Sequence, residues 1–515
     1  MKKMRMGIWT ALVLLSIAAT VSANTPKYIF FFIGDGMSTA QIQAAEAYLT
    51  TKHGGSVTSA KDLIQKTNRL NMTTLPVLGM QTTFDAHSLI TDSASAATAL
   101  SCGIKTMSGV LGMDETTTNC YKNIAQLADE QGKRIGILSS VSLNHATPAA
   151  FFACAPNRGY LNNIATQLVT AEYDFYGGGG IVSSIGPSHS GETTNDVWNL
   201  LAQKGYSVLN DRATILELKQ SPQTKVVCIN PVLQEKMAMP YAIDQDPRNL
   251  SLAEMTSVAI EILFNGSNDA QDHRSTDRNE GFFLVVEGGK IDWACHANDA
   301  MAAIGETLDF DNAVGVAVDF YHKHPQETLI VVTGDHETGG MSIGHQTTGY
   351  SVHYERLLQQ KMSFTAFKHT TWDPFKLGIK DPLCDQENTL EHYPRLLELM
   401  ENSLGIAYDT LNGYQKKRLE EAFDLSLCGA NSNSSEENTA LYGRHEPIIV
   451  TITHILNEQA GIGWTSYAHT GVPVPVFAIG MGAQRFAGLY DNTDIAKKLA
   501  LSMGIDQPLP VRKGP

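Results

Sequence analysis

The sequence predicts an α/β fold: a doubly wound, mostly parallel sheet flanked by helices, with a large insertion near its carboxyl edge. Three observations predict it. Short apolar runs of strand length alternate with longer stretches of helical character, a repetition that a parallel sheet with helices on both faces accommodates. The runs are continuous, as in strands buried on both sides. Three of them stop at an acid, Asp35, Glu287 or Asp335, and open α/β sheets bind ligands at the carboxyl ends of their strands.

Residues 1–23 read as an export signal: Lys2, Lys3 and Arg5, an apolar run over 8–19, then Val21-Ser22-Ala23 as a small-residue cleavage site. A retained N-terminal anchor is the alternative, but the run is short for a bilayer and no later stretch qualifies. The mature chain, 24–515, is therefore expected in the periplasm or outside the cell. Losing the signal takes the formal net charge from −15 to −18. That argues against nucleic acid or an anionic membrane as a bound partner. An anionic substrate stays open, because metal ions and an arginine can reverse the field inside a cleft.

The first strand, 28–33, ends at Gly34-Asp35-Gly36-Met37 and is followed by a helix over about 38–49. A strand over 75–84, a helix over 123–131 and a strand over 134–138 come next. Gly177 to Gly180 match no dinucleotide or phosphate-loop fingerprint and read as a turn. The strand over 282–286 ends at Glu287 and precedes a helix over 297–321. The strand over 328–332 leads to Gly334-Asp335-His336, and a last short strand spans 474–479. From 341 to 445 polar residues dominate, with helices near 393–404 and 414–423. This block reads as an insertion between two core strands.

The seven cysteines are too sparse for a disulfide scaffold, and without a CxxC pair a thiolate zinc site is not expected. Cys384 and Cys428 are the two within the insertion, and in an oxidising compartment they are expected to pair. Cys102 and Cys295 read as buried thiols.

Chemistry concentrates around Thr91-Asp92-Ser93-Ala94, which opens a run of small helix-compatible residues. Asp92 or Ser93 could cap that helix; Ser93 could equally offer an exposed hydroxyl beside unpaired amides that favour an anion. Asp292 and His296 are four residues apart and share one face if the segment is helical, Asp335 and His336 are adjacent at a strand end, and His469 comes just before the last strand. Imidazole with carboxylate suits zinc, whereas an all-oxygen set such as Asp35, Thr147 and Glu287 suits magnesium.

Six motifs in order resemble those of the alkaline phosphatase family. They are Ile33-Gly34-Asp35-Gly36-Met37; Thr91-Asp92-Ser93-Ala94 with Ala97-Thr98-Ala99; His145-Ala146-Thr147-Pro148, followed by Arg158; Glu287-Gly288 with Asp292 and His296; Gly334-Asp335-His336; and His469-Thr470-Gly471. The resemblance implies one zinc held by Asp292, His296 and His469. A second would be held by Asp35, Asp335 and His336, with Ser93 beside it, and a magnesium by Asp35, Thr147 and Glu287. Arg158 would grip two phosphate oxygens with its planar fork. His145 and Trp293, a combination resembling the marine bacterial members, would adjoin the phosphate or the magnesium site. The implied reaction is hydrolysis of small phosphate monoesters through a phosphoserine at Ser93, in a homodimer. Two other readings are a phosphodiesterase of the same superfamily and a secreted zinc- or phosphate-binding protein without turnover. A sulfatase is excluded, because two and four residues after Ser93 stand Ser95 and Ala97 where it needs Pro or Ala, then Arg.

Overall fold

The computed structural model describes residues 25–187, 194–223, 225–265, 280–379 and 389–514; the expected signal, 1–23, lies outside them. Ten strands form the central sheet: β1 Tyr28–Gly34, β2 Val77–Thr82, β3 Arg134–Ser139, β4 Phe175–Gly178, β5 Ser207–Leu209, β6 Val226–Ile229, β7 Phe282–Gly288, β8 Thr328–Gly334, β9 Val474–Gly480 and β10 Gly488–Asp491. Their spatial order is β10-β2-β9-β8-β1-β7-β3-β4-β6-β5. All neighbours run parallel except β9, which is antiparallel to both β8 and β2.

The residues of β1 divide by parity. Phe30 and Phe32 join a core with Leu284, Val286, Ile330 and Val332 on one face; Ile29, Phe31 and Ile33 join Phe283, Val285, Leu329 and Val331 on the other. Helices cover both faces, so the continuous apolar runs are explained by burial on two sides. The first face carries α1 (Thr39–Lys52), α3 (Leu252–Asn265) and α5 (Ala300–Lys323); the second carries α2 (Ser93–Cys102). A short helix, α4 (Lys290–His296), precedes α5. Helix α5 starts three residues later than the expected 297, because Asp299 caps it by accepting from the Ala302 amide.

Gly177 and Gly178 correct the expected turn: they lie in β4, paired in parallel with β3. Gly178 has φ +117, and a Cβ there would lie 1.8 Å from the carbonyl oxygen of Ser139. The bare backbone permits the close approach and also removes the apolar signature of a strand.

Between β8 and β9 the chain forms further helices, including α6 (Pro394–Leu404), α7 (Gly413–Cys428) and α8 (Pro447–Ala460). This block packs against the main body: Tyr354, Leu357, Trp372 and Leu390 belong to the same buried cluster as Phe30 and Phe32. Cys120 and Cys154 form a disulfide that the sequence reading did not anticipate. Cys428 is disulfide-bonded, whereas its expected partner Cys384 lies outside the described residues. Cys102, Cys228 and Cys295 are buried free thiols. Among the described residues, no helix is long and apolar enough to cross a membrane.

Candidate active site

Helix α2 begins at Ser93, and the capping role falls on Asp92. Asp92 Oδ1 accepts from the Ser95 amide at 3.0 Å and the Ser95 hydroxyl at 2.8 Å. Ser93 is thereby left out of the cap; only 2 % exposed, it holds its Oγ 3.4 Å from Nε2 of His336. The free amides of the first turn favour an anion at this point.

The second Asp92 oxygen takes Nη1 of Arg158 at 2.9 Å, and Nη2 of Arg158 donates to Nε2 of His145 at 3.2 Å. Burial alone would raise the Asp92 carboxyl, but Arg158 and the Ser95 and Gly109 amides hold it at about 2. The Arg158 loop is itself pinned: the Arg158 amide donates to Gly109 O at 2.7 Å, and Leu111 and Ala155 exchange backbone hydrogen bonds next to the Cys120–Cys154 bridge.

The parallel register levels Gly34 with Gly288 and Gly334, so Asp35, Glu287 and Asp335 converge at one edge of the sheet. Gly36, at φ +74, lets α4 come close; a Cβ there would sit 2.8 Å from Cα of Asp292. Two clusters with ligand atoms within 4.8 Å of one another result on the histidine side, Asp35–Asp335–His336 and Asp292–His336–His469. His296 adjoins the second, its Nε2 lying 3.3 Å from Asp292 Oδ1 and 3.1 Å from Nε2 of His469.

The donor set fits metal ions. Nδ1 of His296 donates to Tyr467 O at 2.6 Å and Nδ1 of His469 to Thr91 O at 2.8 Å. In the neutral rings both Nε2 lone pairs then face each other and Asp292, an arrangement that calls for a cation between them. His336 is held neutral by burial and by His469; its Nδ1 lies 3.3 Å from the Thr338 hydroxyl, and its Nε2 lies 3.5 Å from Asp35 Oδ1 and 3.3 Å from Asp335 Oδ2. Asp35 Oδ1, Asp335 Oδ2 and Glu287 Oε1 are buried without a hydrogen-bond partner. Such orphaned charge is costly unless a cation compensates it. Burial and the neighbouring carboxylates, Asp292 and Glu287 for both and Asp335 also for Asp35, push the Asp35 and Asp335 carboxyls up, and burial takes Glu287 to about 7.

Thr147 donates to Asp35 Oδ2 at 3.4 Å, next to Glu287, whose other oxygen accepts from Ser139. His145 joins Asp35 and Glu287 as a third cluster. Burial and Arg158 hold this imidazole neutral, with its pKa at about 3. Because Nε2 accepts from Arg158, the proton sits on Nδ1, which is buried without a hydrogen-bond partner. Its ring meets that of Trp293 edge-on, with centroids 5.9 Å apart.

These residues open into a cavity of about 730 Å³ whose inner wall includes Ser93, His145, Arg158, Asp292, Trp293 and His469. All twelve residues singled out in the sequence therefore gather at the edge of the sheet. Lys236, Phe364, Arg444 and His445 also line the cavity and were not legible: Arg444 and His445 sit in a loop, Lys236 in a single turn and Phe364 in a one-turn helix, and none carries a motif. Thr338, which touches both Asp292 and His336, lies two residues beyond the Asp335-His336 pair.

A helix that begins at Ser93, a pinned guanidinium and a carboxyl edge suited to metal ions fit the class of metal-dependent phosphate ester hydrolases. The chain belongs to the alkaline phosphatase family, whose model matches residues 26–505, and it is a phosphoric monoester hydrolase. Alkaline phosphatase 3 of Bacillus subtilis (strain 168) is 32% identical over 481 residues, covering 92% of this chain and 88% of its own. Alkaline phosphatase 4 of the same organism is 30% identical over 474 residues, covering 91% and 87%. Among solved structures, the cold-active alkaline phosphatase of a psychrophilic Shewanella superposes with a TM-score of 0.68 at 26% identity, over 93% of this chain and 100% of its own.

Proposed function

We propose that this chain is exported and hydrolyses phosphate monoesters by double displacement at Ser93, with two zinc ions and one magnesium ion bound. The observation that carries this reading is the Ser93 hydroxyl at the start of α2, 3.4 Å from His336 Nε2 and on the same cavity wall as Arg158. Asp292, His296 and His469 would hold one zinc, Asp35, Asp335 and His336 the other, and Asp35, Thr147 and Glu287 the magnesium. When bound, these ions supply the positive charge that acidifies a serine hydroxyl and stabilises a departing alkoxide.

Arg158, oriented by Asp92, grips two non-bridging oxygens and sets the phosphorus in line with Ser93. The Ser93 hydroxyl gives its proton to solvent as the Oγ–P bond forms and the ester P–O bond breaks, and the alcohol leaves with a proton taken from solvent. Water then attacks the phosphoserine from the vacated side, releasing inorganic phosphate and restoring the hydroxyl. The α2 amides and Arg158 stabilise charge on the equatorial oxygens in both halves.

The export signal and the disulfide Cys120–Cys154 agree on an oxidising compartment. A homodimer is favoured by exposed apolar side chains on the β2–β10 edge, Leu78 and Leu489, and around Leu89, Ile90 and Val472, each between 45 and 70 % exposed. Light scattering on the purified mature chain tests the dimer. For the chemistry, wild type should release 4-nitrophenol from its phosphate ester and lose that activity on chelation. Ser93→Ala should bind the same metals and turn over at least about 10³-fold more slowly. A phosphoryl label trapped on any residue other than Ser93 would sink the assignment.

A further inference from the structure

The cavity is far larger than one phosphate needs, and its lining includes two cations that the chemistry at Ser93 does not use. Lys236 and Arg444 both line it, both are exposed, and neither is ion-paired or hydrogen-bonded among the described residues. Arg158, by contrast, is ion-paired to Asp92 and assigned to the transferred phosphate. Glu235, the acid next to Lys236, accepts from Thr365 at 3.4 Å and lies in the field of the buried Lys290. In a chain of net charge −15, two uncompensated cations on one cavity wall form a local reversal of field.

The placement of Lys236 is built into the backbone. Lys236 and Met237 are consecutive non-glycine residues in the left-handed region, at φ +52 and +59, a conformation that needs support from its surroundings. That support comes from the sheet: Gly180 N donates to Met237 O at 2.8 Å, and Met239 N donates to Ser140 O at 2.9 Å. The turn sets Nζ of Lys236 over the Trp293 ring, 5.3 Å from its centroid, next to Asp292. Arg444, which lines the same cavity, precedes His445, whose ring faces Tyr467 at 5.4 Å. Trp293 and the His445–Tyr467 pair thus line the cavity together with the two cations, a lining that suits an organic skeleton bearing a second charge.

We propose that Lys236 and Arg444 form a subsite for a second anionic group on the leaving moiety, so that the preferred substrates are monoesters bearing a further carboxylate or phosphate. This rests on the phosphomonoesterase reading above and adds the substrate class to it. The subsite acts on binding, through KM, because neither cation is among the groups assigned to the transferred phosphate.

The test uses the metal-loaded enzyme and two matched esters, 3-carboxyphenyl phosphate and its neutral analogue 3-carbamoylphenyl phosphate. At low ionic strength kcat/KM should favour the carboxylate by at least about tenfold, mainly through KM, and the preference should shrink with added salt. In Lys236→Asn/Arg444→Gln, where asparagine tolerates the left-handed backbone, the ratio should fall to near one. Hexose 1,6-bisphosphate against hexose 1-phosphate repeats the comparison with phosphate as the second anion. A preference confined to one pair assigns the subsite to that anion alone. Wild type with no preference in either pair, or a double variant that keeps it, overturns the subsite while leaving the phosphatase reading intact. Failure of wild type to hydrolyse any of the four esters overturns both.

Discussion

Nε2 of His296 and Nε2 of His469 lie 3.1 Å apart, while the Nδ1 of each ring is held by a backbone carbonyl. Two acceptors cannot share that distance without a proton or a metal between them. Asp292 supplies the reason for a proton in the metal-free protein: it outweighs burial and raises His296 to about 9. Zinc must displace that proton. Zinc uptake at the Asp292–His296–His469 site of metal-free protein should therefore release close to one proton around pH 7.5, and apparent affinity there should climb about tenfold per pH unit until about pH 9, then flatten. Calorimetry in buffers of different ionisation heat counts the proton. Uptake at pH 7.5 without proton release would refute the arrangement.

Asp92 has two separable duties, capping α2 through one oxygen and orienting Arg158 through the other. Asparagine caps nearly as well as aspartate but cannot ion-pair. Asp92→Asn should keep the fold and raise KM for phosphate esters, whereas Asp92→Ala should lose the cap as well. The folded pKa of about 2 lies below the unfolded value. The resulting stability, about 2 kcal/mol, is present above about pH 4 and is lost as pH falls through about 2. Acid denaturation of metal-free Asp92→Asn should lack that increment; identical profiles for variant and wild type would show the pair to contribute nothing.

The Cys120–Cys154 bridge closes a loop whose far end carries Arg158 four residues later. Replacing both cysteines with serine should lower stability by about 2–4 kcal/mol. It should also raise KM, because the guanidinium loses part of its fixed mounting. Chemical denaturation and steady-state kinetics measure the two effects; a stable variant with unchanged KM would show that the backbone bonds at Gly109 and Leu111 suffice.

The fold was legible where burial on two faces wrote continuous apolar runs, as at 28–33, 282–286 and 328–332, and where those runs ended in acids. Strands β5 and β6 went unread because three- and four-residue segments carry little pattern, and β4 because glycine replaces half its side chains. The antiparallel direction of β9 is a matter of tertiary pairing that no local signal encodes. At the site, the residues at strand ends and on α2 and α4 could be named from their spacing. Lys236 and Arg444 could not, since loops and chain reversals bring them to the cavity. The Cys120–Cys154 pair was equally hidden, because pairing depends on distance in space.

Thr338 joins the two histidine-bearing clusters through a single hydroxyl. Its Oγ1 donates to Asp292 Oδ1 at 2.5 Å and lies 3.3 Å from Nδ1 of His336. A hydroxyl has one proton, so donation to Asp292 leaves it as the acceptor for the His336 Nδ1–H. That bond fixes the tautomer in which Nε2 of His336 faces Asp35, Asp335 and Ser93. Thr338→Val keeps the shape but strands the His336 proton and releases Asp292. Partners in this position typically account for 10–100-fold in metal affinity, so zinc affinity should fall by about that factor while the fold survives. Thr338→Ser, which restores the hydroxyl, should recover most of it. Competition with a chelator at fixed pH measures both variants. Equal zinc affinity in wild type and Thr338→Val would mean that the carboxylates alone orient His336.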